Sequence, residues 1–314
     1  MVVLLTGATG FVGAALIERL ARMGDGRIRA CTRDAGAVFP DTVETFVIDD
    51  LSSQTCWDHA FDSVNVVVHA AARVHVMNET AADPLQEFRR VNVDGTLHLA
   101  RCAARAGVRR FVFISSIKVN GEATLPGQAF SESDVPAPSD PYGISKLEAE
   151  QGLFALAQET GMQVVVVRPP LVYGPGVGAN FLSMMRWLRR GVPLPLGAIK
   201  NRRSLVALDN LADLVAVCAE HPAAANQVWL AADGEDLSTS QLLRRMGLAL
   251  GKPARLLPVP AWMLGAACAM IGKRGFAQRL CGSLQVDISK ARQLLGWVPP
   301  LSVDEGLRRA ARGN

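Results

Sequence analysis

The sequence predicts an α/β protein, a doubly wound parallel sheet followed by a smaller carboxyl-terminal lobe. Short β-branched runs alternate with longer helical patterns through the first half of the chain, which is typical of strands joined by crossover helices. Several of the runs are apolar at every position, as in strands that helices cover on both faces. The predicted strands are Val2–Thr6, Ile28–Thr32, Thr45–Ile48, Val64–His69, Arg110–Ile114 and Val164–Arg168.

Three helical patterns lie between these strands, over Phe11–Met23, Pro84–Ala106 and Pro141–Thr160. Asp83 is a candidate N-cap for the second pattern, and Pro84 suits the first helical position, where a missing N–H leaves no bond unmade. Right-handed crossovers through such helices would place the six predicted strands in one parallel sheet.

After Arg168, glycine and proline interrupt the strand and helix pattern. We therefore predict a sheet domain over residues 1–173 and a smaller lobe over residues 174–314. A strand at Gln227–Leu230 is expected to return to the main sheet, and the lobe is expected to close over the carboxyl edge of that sheet.

The composition narrows the class of protein. Of 314 residues, 49% are apolar and 20% are charged, which is ordinary for a globular protein and excludes a disordered, collagen-like or coiled-coil chain. The formal net charge of +4 is too small to favour a nucleic-acid partner. The six cysteines show neither a C-x-x-C pair nor zinc-ligand spacing, so we expect reduced thiols, no metal and a cytoplasmic protein. We expect no cleavable signal, and the longest apolar run, residues 260–272, is too short to span a bilayer.

A glycine-rich segment, TGATGFVG at residues 6–13, lies where the first strand ends and the first helix begins. A dinucleotide-binding loop requires this context, because its first glycine forms the tight turn and its second lets a pyrophosphate approach the backbone. The third allows the helix to pack closely on the strand, and the unpaired N–H groups at the helix N-terminus then face the phosphates. We therefore predict a Rossmann domain that binds a dinucleotide through Gly7, Gly10, Phe11, Val12 and Gly13.

The end of the second strand bears on which nicotinamide cofactor binds. NAD(H) requires an acidic residue here that holds the ribose 2′-hydroxyl, whereas this chain has Thr32 and Arg33, with Asp34 one residue further on. Arg33 can bind a 2′-phosphate, which favours NADP(H); if Asp34 reaches the ribose instead, the cofactor is NAD(H). Asp50 and Leu51 follow the third strand, where the Asp50 carboxylate would accept a hydrogen bond from the adenine amino group.

Tyr142 and Lys146 are four residues apart on the third predicted helix and therefore share one of its faces. A tyrosine has an ordinary pKa of about 10 and is a poor base at neutral pH. We expect the Lys146 ammonium, together with a positive nicotinamide ring, to stabilise the phenolate and lower the pKa of Tyr142. Tyr142 would then carry a proton to and from a carbinol oxygen to which Ser116 also hydrogen-bonds.

These motifs, taken in order, resemble those of the extended short-chain dehydrogenase/reductase family. The resemblance covers nearly the whole chain and is strongest to the branch that acts on nucleotide sugars. In the first half it rests on TGATGFVG, Asp50-Leu51, His69-Ala70-Ala71-Ala72, Asn92, Ser115-Ser116, Tyr142 with Lys146, and Arg168-Pro169. In the second half it rests on Arg203, Leu205-Val206, Asp209, Asp287, Lys290-Ala291 and Leu295-Gly296-Trp297.

The resemblance implies roles for individual residues and a substrate. The implied catalytic set is Ser116, Tyr142 and Lys146. The implied cofactor contacts include Ala70, Ala71 and Lys146, and the implied contacts to the diphosphate of a UDP-linked sugar are Asn180 and Arg203. Asn92 matches an asparagine that supports the backbone of the active site. The family further implies that the lobe binds substrate and that the protein is a homodimer, paired through the helices near residues 84–106 and 140–160.

Departures from the family pattern narrow the reaction. Nucleotide-sugar 4,6-dehydratases carry an Asp-Glu pair directly after the catalytic Ser or Thr, where this chain has Ile117 and Lys118. Without those carboxylates we do not expect water elimination. The resemblance leaves a UDP-sugar 4-epimerase, which keeps its cofactor, or a UDP-4-keto-6-deoxy-N-acetylhexosamine 4-reductase, which releases it. Both belong to the synthesis of surface polysaccharides; Arg33 favours the reductase, and the common activity of the family favours the epimerase.

Arg73, His75 and Lys118 are further candidates for the sugar pocket. Lys118 would bind an N-acetyl group or a phosphate, or lend a proton at the keto carbon, unless it points into solvent. The Pro-rich segment of residues 121–140 is expected to form a lid or wall over the sugar. The apolar helix near residues 260–272 is expected in the core, with a dimer face or a membrane-surface contact as alternatives.

Two other functions stay open at this point. One is a dehydrogenase for a non-sugar hydroxyl, such as that of a lipid or steroid, which the matches at Asn180 and Arg203 disfavour. The other is a non-catalytic nucleotide-binding sensor, which the intact Tyr142 and Lys146 disfavour.

Overall fold

A parallel sheet of seven strands forms the centre of the molecule. The computed structural model describes residues 1–22, 27–74, 83–125, 127–270 and 280–313. The strands of the sheet are β1 (Val2–Thr6), β2 (Arg27–Thr32), β3 (Val43–Val47), β4 (Val66–His69), β5 (Arg110–Ile114), β6 (Gln163–Arg168) and β9 (Gln227–Leu230), in the spatial order β3-β2-β1-β4-β5-β6-β9. Every neighbouring pair is parallel. This topology confirms the predicted doubly wound α/β fold.

Helices cover both faces of the sheet. The helices of the described residues are α1 (Phe11–Ala21), α2 (Pro84–Arg89), α3 (Thr96–Arg105), α4 (Pro141–Thr160), α5 (Ala179–Arg189), α6 (Leu208–Glu220), α7 (Thr239–Ala249), α8 (Ala261–Met270), α9 (Ser289–Leu295) and α10 (Val303–Arg312). Of these, α5, α7, α8 and α10 pack in a separate carboxyl-terminal core and not on the sheet. α1 and α6 pack on one face with Val3 and Leu5 of β1, and α3 and α4 pack on the other face with Leu4. Successive side chains of a strand enter opposite layers, and because both layers are apolar, β4 and β5 are buried along their whole length.

The helix predicted over residues 84–106 is interrupted in the structure. Asp83 caps α2 as expected, through a side-chain hydrogen bond of 3.1 Å to a backbone N–H. A π-helical turn at Arg90–Gly95 then separates α2 from α3. The apolar pattern runs on through this turn, so sequence periodicity does not distinguish it from an α-helix. Such turns concentrate at functional sites, and this one carries Asn92.

The carboxyl-terminal lobe has a core of its own. Within it, a second sheet pairs β7 (Leu171–Tyr173) with β8 (Leu205–Ala207) in parallel. The sequence pattern does not predict this pair, because each strand is only three residues long. Tyr173 is buried here and donates a hydrogen bond to Asp233 Oδ2 at 2.7 Å.

The Pro-rich segment of residues 121–140 is anchored to the lobe. The Phe130 N–H donates to the Gln285 carbonyl at 2.8 Å, and the Asp287 N–H donates back to the Phe130 carbonyl at 2.9 Å. The described parts of this segment, residues 121–125 and 127–140, follow β5 in the chain and are fixed by these backbone hydrogen bonds.

The core position expected for the apolar run at residues 260–272 is wrong for the part that the structure describes. In α8, Trp262 is 74% exposed and Met270 is 83% exposed, while Leu264 packs against the core of the lobe. The helix is apolar on all sides, so packing one side leaves the others in solvent. Across the described residues, no helix has both the length and the apolar character that crossing a membrane requires.

Candidate active site

The glycine-rich loop after β1 folds as a tight turn against the start of α1. Gly7 has a φ of +70°, and a Cβ there would lie 2.7 Å from the Ala71 N atom. A Cβ at Gly13 would lie 2.0 Å from the Gly7 carbonyl oxygen, so no side chain fits between helix and turn. Gly10 caps α1 without a side-chain hydrogen bond. The N–H groups of the first helical turn are therefore placed to bind an anion such as a pyrophosphate.

Charged side chains surround the ends of β2 and β3. Arg33 directly follows β2 and is exposed. The Asp34 carboxylate is held in its own turn, because it accepts the Gly36 N–H at 2.9 Å. Asp50 pairs with Arg90 of the π-helical turn across 3.0 Å. Arg33 and Asp34 are both exposed at this strand end, where the 2′-position of a bound ribose is expected.

The other predicted cofactor contacts lie on either side of the glycine turn. Ala70 and Ala71 follow β4 and pack against Gly7, whose Cβ position is 2.9 Å from the Ala70 carbonyl carbon. Leu51 is buried under Gly95, where a Cβ would lie 3.0 Å from Leu51 Cγ. The crevice at this edge is therefore lined closely by backbone, as a dinucleotide requires.

Lys146 is buried at the end of β5. Its Nζ donates a hydrogen bond to the Ile114 carbonyl at 2.8 Å and lies 4.3 Å from the centre of the Phe113 ring. The same nitrogen lies 6.0 Å from the centre of the Tyr142 ring. Burial lowers the pKa of Lys146 to about 7, and the nearby Glu150 carboxylate opposes that shift.

The expected lowering of the Tyr142 pKa is not seen in the protein without cofactor. Burial raises the pKa of Tyr142, and the Asp140 carboxylate adds to the increase. The spacing of Tyr142 and Lys146 shows that they share a helix face, but it does not show that the phenol loses its hydration in that position. The cost of removing a phenolate from water exceeds the stabilisation that the Lys146 ammonium can give, because that ammonium donates its hydrogen bond to a backbone carbonyl.

Asn92 ties the end of β4 to α4. Its Oδ1 accepts the Arg73 N–H at 2.8 Å, and its Nδ2 donates to the Arg73 carbonyl and to Ser145 Oγ, both at 3.0 Å. Ser145 Oγ in turn donates to the Tyr142 carbonyl at 2.8 Å. The loop that follows β4 and the helix that carries Tyr142 are thus held in one arrangement by a buried side chain.

The two serines after β5 differ in their partners. Ser115 Oγ donates to Glu150, which also receives two hydrogen bonds from the Arg168 guanidinium at 2.5 and 3.0 Å. Ser116 is only partly buried and caps the 3₁₀ turn Ile117–Val119. Ser115 is therefore committed to a buried ion pair, and Ser116 is the less buried of the two serines. Sequence reasoning did not single out Glu150, although its place one helical turn after Lys146 is a usable signal.

The predicted substrate contacts are spread over the molecule. The Arg73 guanidinium lies 5.7 Å from the centre of the Phe88 ring, which meets the Tyr142 ring edge-on at 6.0 Å. Lys118 Nζ lies against the Asp140 carboxylate. Arg203 lies in the lobe and donates to the Gly282 carbonyl at 3.1 Å. Arg73 and Lys118 thus both lie near the start of α4, whereas Arg203 contacts the lobe.

Two of the predicted substrate residues, Asn180 and His75, lie partly or wholly outside the part of the chain that the structure describes. Asn180 is in the first turn of α5, and its side chain is outside the described parts of the chain; His75 is outside the described residues altogether.

His69 is a packed strand residue. Its ring lies between Thr6 Oγ1 at 2.6 Å and Thr96 Oγ1 at 2.9 Å, and it stacks on Phe113. Burial, followed by the charge of Lys146, lowers the pKa of His69 to about 3. The imidazole is therefore neutral at physiological pH and holds β1 and β4 to the start of α3.

Comparisons with known proteins agree with this geometry. The model of the NAD-dependent epimerase/dehydratase family matches residues 3–232. A UDP-glucose 4-epimerase of Vibrio cholerae is 48% identical over 311 residues, which cover 99% of this chain and 94% of that protein. Two solved structures share the fold with TM-scores of 0.79 at 21% identity: the UDP-glucose 4-epimerase of Thermotoga maritima with UDP-glucose, and the UDP-glucuronic acid 4-epimerase of Bacillus cereus with NAD. Each covers 100% of this chain and 98% of its own.

Proposed function

This chain belongs to the NAD-dependent epimerase/dehydratase family, and we propose that it inverts C4 of a UDP-linked sugar. The observation that carries the proposal is the set of Tyr142, Lys146 and Ser116 on adjoining elements, beside a glycine turn that can accept a dinucleotide. Similarity over nearly the whole chain to the Vibrio cholerae UDP-glucose 4-epimerase supports the same reaction.

Each group of the site has one task in this reaction. When bound, NAD supplies a reversible acceptor for the C4 hydride and a positive charge near Tyr142. The first turn of α1 would bind the pyrophosphate, and Lys146 would contact the cofactor from its buried position. Tyr142 takes the proton of the C4 hydroxyl as the ketone forms and returns it after the sugar has turned. Ser116 donates a hydrogen bond to the same oxygen and so fixes its position.

The carboxyl-terminal lobe, which lies mainly within residues 174–314, is proposed to bind the nucleotide part of the substrate. Asn180 and Arg203 would donate hydrogen bonds to the diphosphate, for which a partly buried guanidinium is well suited. Arg73 would face the sugar, since it lies next to the ring that packs on Tyr142. The wall of residues 121–140 would close the sugar site from the other side.

A panel of UDP-hexoses and UDP-N-acetylhexosamines, incubated without added cofactor, tests the proposal. We expect purified protein to carry bound NAD and to interconvert at least one C4-epimeric pair in both directions. Tyr142→Phe removes only the phenolic oxygen and is expected to lower kcat about 100-fold or more with NAD still bound. Turnover of no UDP-sugar, or full activity of Tyr142→Phe, would contradict the proposal.

One observation favours a second candidate, a reductase of UDP-4-keto sugars that uses NADPH. Arg33 directly follows β2 and is exposed, so its guanidinium can bind the 2′-phosphate of NADPH. A reductase would be isolated without cofactor and would oxidise NADPH when given a UDP-4-keto-6-deoxy sugar. In either case, Ile117 and Lys118 supply no carboxylate for dehydration, so no 4-keto-6-deoxy product is expected from a UDP-hexose.

A further inference from the structure

Lys118 lies at the junction of the two segments that carry Ser116 and Tyr142. It is the middle residue of the 3₁₀ turn, and its N–H donates to Ser116 Oγ at 3.3 Å. Its carbonyl faces Gly143, where a Cβ would lie 3.1 Å from the Lys118 oxygen. The start of α4 therefore packs directly on this turn, and the backbone of Lys118 sets the spacing between the two segments.

The side chain of Lys118 is paired with the residue that caps α4. Its Nζ lies against Asp140 Oδ2 and 3.9 Å from Glu122. Asp140 caps the helix through its other carboxylate oxygen, which accepts the Gly143 N–H at 2.7 Å. The side chains of Lys118 and Asp140 are 32% and 18% exposed, so solvent and salt screen the pair less than one on the open surface.

The Asp140 carboxylate also acts on Tyr142, which follows it by two residues in α4. After burial, its charge is the second cause that raises the pKa of Tyr142. A phenolate that forms during proton transfer would be repelled by an uncompensated carboxylate in this position.

We propose that Lys118 is a positioning residue, which holds Asp140 on the cap of α4 and offsets part of its charge beside Tyr142, and that it is not a ligand for the sugar. The proposal rests on Tyr142 being the proton-transfer group of the proposed function. It gives a physical role to the lysine that stands where the dehydratases carry a carboxylate.

Other charged groups near Tyr142 come from its own helix, from α2 and from the loop after β4. Lys146 lies 6.0 Å from the Tyr142 ring centre, and Arg73 reaches the Phe88 ring that packs on it. Between α2 and α4, Arg89 and Glu148 form an ion pair that is neutral as a whole. None of these groups changes in the variants compared below, so their effects cancel.

The chain has only two tyrosines, which allows Tyr142 to be titrated directly. Burial and the neighbouring Asp233 raise the pKa of Tyr173, and Tyr173→Phe removes its signal from the spectrum. In this background, NAD-loaded protein labelled with ¹³C at tyrosine Cζ reports the Tyr142 phenolate by NMR as the pH is raised. The measurement needs no substrate, so it remains decisive even if no UDP-sugar is turned over.

Asp140→Asn keeps a capping residue but removes the charge, so Tyr142 is expected to titrate about 1 pH unit lower or somewhat less. Lys118→Met is expected to shift the titration upward, and the double variant is expected to return it close to the wild type. Lys118→Arg keeps the cation and is the matched control. A Tyr142 signal that titrates no earlier in Asp140→Asn than in the wild type would overturn the proposal. So would a KM for the UDP-sugar that rises about tenfold or more in Lys118→Met but not in Asp140→Asn, since that would make Lys118 a sugar ligand.

Discussion

Lys146 is a buried lysine, and its burial disfavours the charged form. Its ammonium meets the Ile114 carbonyl and the face of the Phe113 ring, and burial brings its pKa down to about 7. At neutral pH the charged and uncharged forms are therefore both present in the protein alone. The family motif gives the spacing of Tyr142 and Lys146, but burial decides how much charge the lysine carries.

This lowered pKa gives the stability of the NAD-free protein a defined pH dependence. Between about 7 and the ordinary value of 10.5, the folded chain has released the Lys146 proton while the unfolded chain still binds it. The contribution of Lys146 to the free energy of unfolding therefore rises with pH across that window. Below a pH of about 7, the full destabilising effect of burying this lysine is present. Denaturant unfolding at several pH values should show the wild type gaining stability relative to Lys146→Met as the pH rises. A difference that stays constant with pH would contradict the assignment.

Gly13 offers a second test at the scale of one residue. A Cβ there would lie 2.0 Å from the Gly7 carbonyl oxygen, so Gly13→Ala must push α1 off the turn. We expect a loss of about 1–3 kcal/mol of stability and weaker NAD binding. Thermal unfolding with and without NAD measures both effects. Gly265→Ala in α8 is the control, because no described atom outside its own helix lies within 4 Å of the added carbon, and it should be as stable as the wild type or more so. Equal behaviour of the two variants would count against the close packing of loop and helix.

At the scale of elements, the predictions hold where periodicity and end signals agree, and fail where a contact across the molecule decides. Asp83 with Pro84 correctly marks the start of α2, yet nothing in the apolar pattern reveals the π-helical turn at Arg90–Gly95. That turn depends on tertiary contacts of Asn92 with the end of β4 and with α4. Likewise, the composition of α8 does not say which of its apolar sides stays in solvent.

Asn92→Ala tests the role of this turn. The substitution leaves the backbone N–H and carbonyl of Arg73 without their side-chain partner, which costs about 1–3 kcal/mol of stability. It also unties the loop after β4 from α4, so kcat is expected to fall even where the protein remains folded. Asn92→Asp keeps the acceptor for the Arg73 N–H but loses the donor. Its kcat should lie between that of the wild type and that of Asn92→Ala. Steady-state kinetics and denaturant unfolding measure the two effects. Full activity of Asn92→Ala would contradict this role.

At the scale of the whole molecule, the sheet is predictable because its β-branched runs leave few ways to join parallel strands. The lobe is less predictable for two reasons. Its strands β7 and β8 are only three residues long, and its contacts with residues 121–140 join distant parts of the chain. The site shows the same division. The glycine loop, Tyr142 and Lys146 follow from local motifs, whereas the ion pairs of Asp140 with Lys118 and of Glu150 with Arg168 depend on the tertiary fold.

The proposed homodimer is a prediction at this scale. α3 and α4 carry partly exposed apolar side chains, including Leu97 and Phe154, on the layer that the family would use for pairing. We expect sedimentation velocity to give twice the mass of one chain. Phe154→Arg should shift the protein toward monomer, because it would bury a charge at the interface. Leu248→Arg, at a side chain that is 70% exposed on α7, is the control and should stay dimeric. A wild type that sediments as a monomer would contradict the proposal.

The most direct test of the proposed reaction follows deuterium at C4. A UDP-hexose labelled with deuterium at C4 is incubated with the purified protein and no added cofactor, and both epimers are analysed by NMR. If the hydride is held by bound NAD and returned to the same carbon while Tyr142 moves only the hydroxyl proton, the C4 epimer forms with its deuterium retained. Absence of the epimer, or its formation with deuterium lost to water, would contradict the account.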